Sequence, residues 1–309
     1  MKFRFWGVRG SVPCPDSPQT FRAKISTILQ RLRPSDLDGP DSRERFLADL
    51  PPELFGVTGG NTTCLEVESD PGHVLVVDGG TGLRELGRAR QSDRGLHYHI
   101  FFTHFHWDHI QGIPFFGGLT RPENRVTFYS PVKDFETLLR RQMQEPFFPV
   151  PLSVFPAKME FVELDGDTRI VAGTKVRWKS VNHPGNCHAY RFDRQGHSLV
   201  FSTDTELRVQ DFGDQAANRW FFGTVETLVF DAQYTLGEAL ERSDWGHTSS
   251  GMAVDFALDF GVGTLYLFHH EPDHDDATLE EIARLAQWYA DHKRPGALKV
   301  KLAREGEIR

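Results

Sequence analysis

Alternating and continuous runs of apolar residues along the chain predict many short strands separated by a few helices. Residues 2–6 alternate polar and apolar side chains, and Gly7 ends this first strand. Apolar runs bounded by turn residues predict further strands at 64–67, 74–78, 99–103, 175–181, 198–202, 227–230 and 264–268. Helical spacing of apolar residues predicts helices at 134–143, 252–260 and 279–289. This order of elements predicts an α/β domain in which two sheets lie between layers of helices.

The segment 15–58 differs from the rest of the chain, because its apolar residues recur at helical spacing between two predicted strands. These residues are Phe21, Ile25, Ile28, Leu29 and Leu32. Pro34 ends the first helix, and a second amphipathic stretch at 43–50 ends at Pro51 and Pro52. We therefore expect residues 1–309 to form one domain with a helical hairpin inserted at 15–58. The hairpin is either a packing addition without a catalytic part or a lid over the functional site.

The composition excludes several other classes of protein. With 39% hydrophobic and 25% charged residues, the 309-residue chain is typical of a globular protein and not of a disordered one. Its 43 acidic residues outnumber its 35 basic ones, which argues against an extended nucleic-acid surface. Its three cysteines are too scattered for a disulfide framework or a cysteine-based zinc module. We expect a cytoplasmic protein without a membrane segment, because the chain has no apolar run of spanning length and no signal sequence at its start.

The strongest chemical signal is the run THFHWDH at 103–109, which directly follows a predicted strand. Its side chains of the metal-ligand type are His104, His106, Asp108 and His109. Two histidines separated by one residue can both face a cation where the backbone turns at a strand end. Imidazole and carboxylate together suit zinc, iron or manganese. Because burying such groups without partners is costly, the run indicates a metal site.

Other histidine and aspartate residues also lie just past predicted strands. They are His183, Asp204 and the pair His269 and His270. Strand-to-loop edges are where α/β proteins place functional groups. Each of these residues alone is weak evidence, since many such residues are ordinary surface groups. Together with the run at 103–109, they predict enough ligands for two metal ions.

The run at 103–109, His183, Asp204 and the His269 region resemble the metallo-β-lactamase superfamily of dinuclear metal hydrolases. The resemblance covers nearly the whole chain outside the 15–58 insertion. It implies an αββα sandwich with the metals at one edge of the paired sheets. The ligands that it implies are His104, His106 and His183 for one metal, Asp108, His109 and His269 for the other, and Asp204 as the bridge between them.

Two details of this ligand set follow from the resemblance. His269 is preferred to His270, because the first residue past the strand matches the family pattern better. The cofactors implied are two divalent metal ions, with zinc as the first choice and manganese or iron also compatible.

Four features resemble the phosphodiesterase and tRNA-3′-processing branch of the superfamily. The bridging residue is Asp204 instead of the cysteine found in the β-lactam-cleaving enzymes, and an oxygen bridge suits attack on phosphorus. The string at 246–248 resembles the additional histidine motif of that branch, and Asp231 stands where the branch has a paired acid. Asp78 matches its first acidic motif. The resemblance implies that His247 is a general acid oriented by Asp231.

The predicted reaction is hydrolysis of a phosphodiester by a hydroxide that bridges the two metals. Asp108 would help to hold or deprotonate this water. The chain has no long glycine-rich arm suited to a tRNA, and its net charge is −8, so we expect a small substrate such as a cyclic nucleotide. Strings such as FWGVRGS, GGNT and FHHEPDHDD resemble a bacterial subgroup of metal-dependent hydrolases with similarity to cyclic-nucleotide phosphodiesterases.

Several interpretations stay open at this point. Asn61 and Thr62 either donate to the substrate phosphate or belong to a turn that only needs glycine. Five aromatic residues either form a pocket for a nucleobase or belong to the hydrophobic core. They are Trp107, Phe115, Phe116, Phe147 and Phe148. Two rival functions use the same metal site, namely a lactonase or thioesterase and a metal-bound ligand sensor with little turnover. A homodimer is implied by resemblance only.

Overall fold

The computed structural model of the chain describes residues 1–213 and 216–309 and contains two β-sheets. The first sheet consists, in spatial order, of Phe3–Gly7 (β1), Cys64–Val67 (β2), His73–Val77 (β3), His97–Phe101 (β4), Arg125–Ser130 (β5) and Lys158–Glu163 (β6). The second sheet consists of Thr168–Val171 (β7), Thr174–Ser180 (β8), His188–Arg194 (β9), His197–Ser202 (β10), Thr227–Asp231 (β11), Thr264–Phe268 (β12) and Lys299–Leu302 (β13), which also neighbour one another in chain order. The α-helices are Pro18–Arg31 (α1), Pro40–Ala48 (α2), Pro52–Phe55 (α3), Gly82–Ala89 (α4), Trp107–Ile110 (α5), Phe135–Gln142 (α6), Ala216–Phe222 (α7), Leu236–Glu241 (α8), Ser250–Asp259 (α9) and Asp276–Lys293 (α10).

Apolar side chains on both faces of each sheet build three layers of core. Phe101 of β4 points between the sheets and packs edge-on against Phe192 of β9, with ring centroids 6.0 Å apart. Its neighbour Ile100 points the other way, into a second core beneath α4 and α6. A third core lies between the second sheet and helices α7, α9 and α10. This arrangement confirms the predicted αββα sandwich.

The functional edge of the sandwich follows from strand direction. Strands β3 to β6 are parallel, and so are β10 to β13. Their carboxyl ends therefore open onto one edge, where α/β sheets place ligand sites. Asp78, Asp204 and His269, which lie just beyond β3, β10 and β12, have positive φ angles of 61°, 50° and 60°. Backbone strain of this kind, outside glycine, is concentrated at functional sites.

The inserted helices α1 to α3 lie between β1 and β2, which pair antiparallel with each other. The apolar stripe of α1 faces solvent: Phe21, Ile25 and Leu29 are exposed. Polar contacts attach the insertion instead, since Lys24 Nζ lies 2.5 Å from an oxygen of Asp276 at the start of α10. These contacts dock the hairpin on the last helix, and its boundaries at 15–58 stay a prediction.

The cysteines are free thiols throughout the described chain. Burial raises the pKa of Cys64 and of Cys187 well above the ordinary thiol value, which keeps both unreactive. This agrees with the expectation of no disulfide framework. Among the helices of residues 1–213 and 216–309, none combines the length and the apolar character that crossing a bilayer requires.

Candidate metal centre

The loop after β4 presents the run at 103–109 toward the open edge. Thr103 anchors it, because its backbone N–H and its hydroxyl both donate to the carboxylate of Asp78 at 2.8 Å. His104 and His106 follow, and α5 begins directly after His106, whose backbone is extended. The helical turn brings Asp108 and its neighbour His109 back toward the strand end, where both are buried. A strand end followed by one helical turn thus gathers four ligand-type side chains.

A first group of ligand atoms comes from His104, His106, His183 and Asp204. Nε2 of His183 lies 3.2 Å from Nδ1 of His106. Oδ1 of Asp204 lies 3.7 Å from Nε2 of both His104 and His183. The four atoms lie within 4.8 Å of one another, which is the spread expected around a single ion.

A second group comes from Asp108, His109, His269 and again Asp204. Nε2 of His109 lies 3.3 Å from Asp108 Oδ2 and 3.2 Å from Asp204 Oδ2. Nε2 of His269 lies 3.2 Å and 3.3 Å from the same two oxygens. The two carboxylate oxygens of Asp204 therefore face different groups, as a bridging ligand between two ions would.

The donors fit a pair of divalent cations. Within the described chain, Nε2 of His104 and of His109 are buried without a hydrogen-bond partner, although both point into the groups. Burial lowers the pKa of His109, but the charges of Asp204, Asp108 and Asp78 outweigh it and raise that pKa well above its ordinary value. The pocket thus holds excess negative charge that favours a cation. Imidazole and carboxylate are zinc ligands, and this set also accepts manganese or iron.

Three of the histidines are held by a second partner on their other ring nitrogen. Nδ1 of His109 lies 2.8 Å from Asp78, Nδ1 of His183 lies 2.9 Å from the carbonyl oxygen of Gly246, and Nδ1 of His269 lies 3.2 Å from Oε1 of Gln233. Such partners fix the tautomer and orientation of metal-binding imidazoles. A Cβ on Gly246 would lie 2.2 Å from Nδ1 of His183, so only glycine allows this approach.

Two supporting residues in the β1–β2 connection were not predicted. The backbone N–H of Ser11 donates to Asp108 Oδ2 at 2.8 Å, and a Cβ on Gly10 would lie 2.5 Å from the His269 ring. Gln233, which orients His269, was not predicted either. The string FWGVRGS at 5–11 was the available signal for Gly10 and Ser11, but its role depends on contacts across the fold.

His247 and Asp231 form a hydrogen-bonded pair beside the second group. Nδ1 of His247 lies 2.7 Å from Oδ2 of Asp231, and the ring stacks on His269 with centroids 4.9 Å apart. Burial lowers the pKa of His247, but the charge and hydrogen bond of Asp231 outweigh it and raise that pKa to about 9. The backbone N–H of Thr248 also donates to Asp231, which keeps the carboxylate in place.

The structure separates His269 from its neighbour. His270 lies outside both groups, since its Nε2 lies 2.9 Å from the carbonyl oxygen of Ala303. Burial lowers the pKa of His270 to about 3, so its ring is neutral at physiological pH. Of the two residues, His269 therefore lies among the ligand-type side chains, whereas His270 is hydrogen-bonded to the backbone.

Asn61 and Thr62 are committed to contacts within the fold. The Asn61 side chain donates to Glu305 at 3.0 Å, and the Thr62 hydroxyl accepts from the N–H of Thr81 at 2.9 Å. Both residues hold the loop beside β2. The interpretation of this segment as a turn that needs glycine fits these contacts better than phosphate binding does.

An apolar cavity of about 530 Å³ lies against the same loop. Phe105 and Trp107, which alternate with His104 and His106 along the chain, line one side of it. The cavity lining also includes Phe115, Leu138, Arg141, Phe147 and Phe148. Phe116 is fully buried in the core instead, so of the five aromatic residues considered above, four line a cavity.

An αββα sandwich with histidine and aspartate groups at the carboxyl ends of its strands defines the class of metallo-β-lactamase-fold proteins. A family model described as a β-lactamase superfamily domain matches residues 73–270, well over half of the chain. The chain belongs to this superfamily, which confirms the resemblance stated above.

Solved structures of the same fold are similar over the whole chain. YhfI from Bacillus subtilis, a metallo-β-lactamase fold protein, has a TM-score of 0.66 at 15% identity, covering 100% of this chain and 98% of its own. A diphosphatase of the PhnP family has 0.64 at 18% identity, covering 100% and 96%. The short form of human tRNase Z has 0.60 at 16% identity, covering 100% and 98%. A comparison with curated protein sequences gives no significant match.

Proposed function

We propose that this protein is a metal-dependent phosphodiesterase that hydrolyses a small phosphodiester. The observation that carries this proposal is the pair of His247 and Asp231, set against a group of ligands that Asp204 bridges. Phosphodiester cleavage expels an alkoxide, which needs a proton, whereas the thiolate expelled in thioester hydrolysis needs little help. A buried histidine with a raised pKa is suited to supply that proton.

The ligands proposed for the two ions are those of the two groups. His104, His106 and His183 would hold one ion and Asp108, His109 and His269 the other, with Asp204 between them. Two divalent ions, zinc in the first instance, would lower the pKa of water and neutralise charge on the phosphoryl oxygens.

The side chains of the chain itself would move two protons. Asp108 is placed to hold the attacking water and accept its proton, because its carboxylate is oriented by the N–H of Ser11. His247 would donate from Nε2 to the departing oxygen, since Asp231 holds Nδ1. Asp231 keeps the ring in the orientation and charge state that this donation requires.

The cavity beside the loop favours a phosphodiester with an apolar or aromatic substituent. Trp107 is 80% exposed and Phe147 is 69% exposed, and both line the cavity. Exposed aromatic rings of this kind are available to stack on a nucleobase, and each stacked pair contributes about 0.5–1.5 kcal/mol. Arg141 in the same lining supplies a positive charge. A cyclic nucleotide has the matching chemistry, and the names diphosphatase and tRNase of two structural neighbours favour a phosphorus-containing substrate.

The proposal is tested by steady-state hydrolysis of bis(p-nitrophenyl) phosphate on protein reconstituted with zinc. The same preparation is assayed with p-nitrophenyl acetate and with a thioester, and chelator-treated protein serves as the control. We expect turnover of the phosphodiester in preference to both acyl substrates, abolished by the chelator. Preference for the acyl substrates would instead identify a lactonase or thioesterase. Absence of turnover with two ions bound would favour a ligand-sensing protein.

A further inference from the structure

Three histidines lie together at the end of the first sheet opposite to the candidate metal centre. They are His73, which begins β3, and His97 and His99 of β4. The parallel register pairs His73 with His97, and His99 lies two residues further on the same strand face. Five-residue strands at about 3.3 Å per residue separate this end from the metal centre by roughly 15 Å.

The three imidazoles are close enough to share one ion. One ring nitrogen from each lies within 4.8 Å of the other two. Nδ1 of His73 lies 2.9 Å from Nε2 of His99, and the centroids of His97 and His99 are 3.9 Å apart. Nitrogens of a tetrahedral zinc site, with bonds of about 2.0–2.1 Å, lie roughly 3.3 Å apart. The 2.9 Å between the nitrogens of His73 and His99 is close to this spacing.

Hydroxyl groups hold the other nitrogens of two of these rings. Nδ1 of His99 lies 3.0 Å from the Tyr129 hydroxyl, and Nε2 of His97 lies 2.8 Å from that of Thr127. Each of these two rings is therefore anchored through one nitrogen, and the other nitrogen of His99 faces His73 within the group. Anchoring of this kind is the usual second shell of metal-binding histidines.

Burial disfavours the protonated form of two of these rings, and the third is partly open to solvent. Burial, followed by the neighbouring His97 and His73, lowers the pKa of His99 to about 3. Burial likewise lowers the pKa of His97. His73 is only half-buried and lines a cavity of about 420 Å³, through which an ion and a water ligand can enter.

We propose that His73, His97 and His99 form a third metal site, which binds one zinc ion with water as the fourth ligand. Three imidazoles without a carboxylate select zinc, copper or nickel over magnesium or calcium, which prefer oxygen ligands. The site is independent of the phosphodiesterase proposal, because its ligands belong to neither of the two groups at the other end of the strands.

The test is the number of zinc ions bound per chain at equilibrium dialysis, measured on the full-length protein. The double variant H73Q/H97Q removes two ligands, and both residues are half-buried, so the fold should tolerate the change. The matched control is His197→Gln. This change removes an exposed histidine of β10, which pairs with Glu226. We expect three ions in the wild-type chain and in the control, and two in the double variant with phosphodiesterase activity unchanged.

Equal numbers of ions in the wild-type chain and the double variant would overturn the third site and leave a hydrogen-bonded stack of histidines. Loss of one ion in the control as well would also overturn it, since nonspecific surface binding would then explain the count. If circular dichroism shows that the double variant is unfolded, His73→Gln alone is used. The same loss of one ion is expected, because two imidazoles and water hold zinc weakly. Retention of that ion by the folded single variant would overturn the proposal.

Discussion

Strand β4 has histidines at both of its ends, and the two ends differ in the groups that surround the imidazoles. At the carboxyl end, the histidines face the carboxylates of Asp108 and Asp204 and are supported by Asp78. At the amino end, His99 and His97 are supported by the hydroxyls of Tyr129 and Thr127. The same ligand type thus lies among carboxylates at one end, whereas at the other end the opposite charges of Arg125 and Glu160 act on it.

This difference distinguishes a metal site that can catalyse hydrolysis from one that only binds an ion. Carboxylates can bridge two ions, compensate their charge and accept a proton from water, whereas imidazoles and hydroxyls can only hold a single ion. Chemistry is therefore expected at the carboxyl end alone.

The largest effect is expected from Asp204→Asn, which keeps the size of the side chain but removes the bridging charge. We expect both ions at the centre to bind more weakly and kcat/KM to fall by at least about 10³-fold, as one lost electrostatic contact in a catalytic site already costs about 10²–10³-fold. Metal analysis and phosphodiester kinetics measure the two effects. Asp244→Asn, at a carboxylate that is 81% exposed, is the control and should behave as wild type. If the Asp204→Asn variant retains its metal and its activity, Asp204 is not a ligand of the metal centre.

His247→Gln tests the proton donor separately from the ligands. We expect kcat to fall by about 10²–10⁴-fold, the range typical of general acid catalysis, with the zinc content unchanged. The loss should be smaller for p-nitrophenolate leaving groups than for alkoxides, because the former need less protonation. If zinc is lost together with activity, His247 is a ligand and not the acid.

The supporting residues at the two ends give a matched pair of variants. Asp78→Asn removes the charge behind His109 and should weaken zinc binding at the centre by about 10–100-fold. Tyr129→Phe removes the hydroxyl behind His99 and should weaken only the third ion, by a smaller factor. Zinc titrations of both variants give the two affinities. Equal effects of both variants on the centre would contradict the separation of the two ends.

The pH profile reports the charge of His247. Since Asp231 raises the pKa of His247 to about 9, the ring is protonated below that pH, and kcat/KM should fall about tenfold per pH unit above it. Cations bound beside His269 would lower the pKa of His247, so the alkaline limb of the pH profile would lie at lower pH. Asp231→Asn removes the raising charge, so the limb should shift further down, and in His247→Gln it should be absent. An alkaline limb that persists in His247→Gln would assign it to another group.

The smallest effect is expected from Trp107→Ala, at the cavity. Losing one stacking contact of about 0.5–1.5 kcal/mol should raise KM by roughly 2–12-fold for phosphodiesters with an aromatic substituent. The value of kcat should stay unchanged, and a methyl phosphodiester should not respond. Trp288→Ala, at an exposed tryptophan on α10, is the control. A fall in kcat with unchanged KM would show that Trp107 positions the loop instead.

Much of the fold was predictable, because strand and helix periodicity are local. The strands predicted at 64–67 and 264–268 match β2 and β12 exactly in their bounds, and α9 begins after Ser249, one of the two predicted caps. Strands β5, β6, β7, β9 and β13 were not predicted. Several of them carry charged residues on half-exposed faces, so their apolar pattern is weak until the neighbouring strands supply the pairing.

The insertion shows where local pattern misleads. The helical spacing of Phe21, Ile25 and Leu29 correctly predicts α1, but it suggests a buried face, and that face is exposed. Periodicity reveals which side chains share a face and not what covers that face. The ion pair of Lys24 with Asp276, 252 residues apart, attaches the helix instead.

Resemblance to the family implied the pairing of His247 with Asp231, and the sequence itself predicted the chemistry available at the strand ends, namely the run at 103–109 and Asp204. It could do so because parallel strands bring their carboxyl ends to one edge, so residues after separate strands converge without further information. Only the tertiary structure decided which oxygen of Asp204 faces which group and that His269, not His270, joins them. It alone brought His73 to His97 and His99, because strand register and backbone turns set side-chain distances that no local pattern contains.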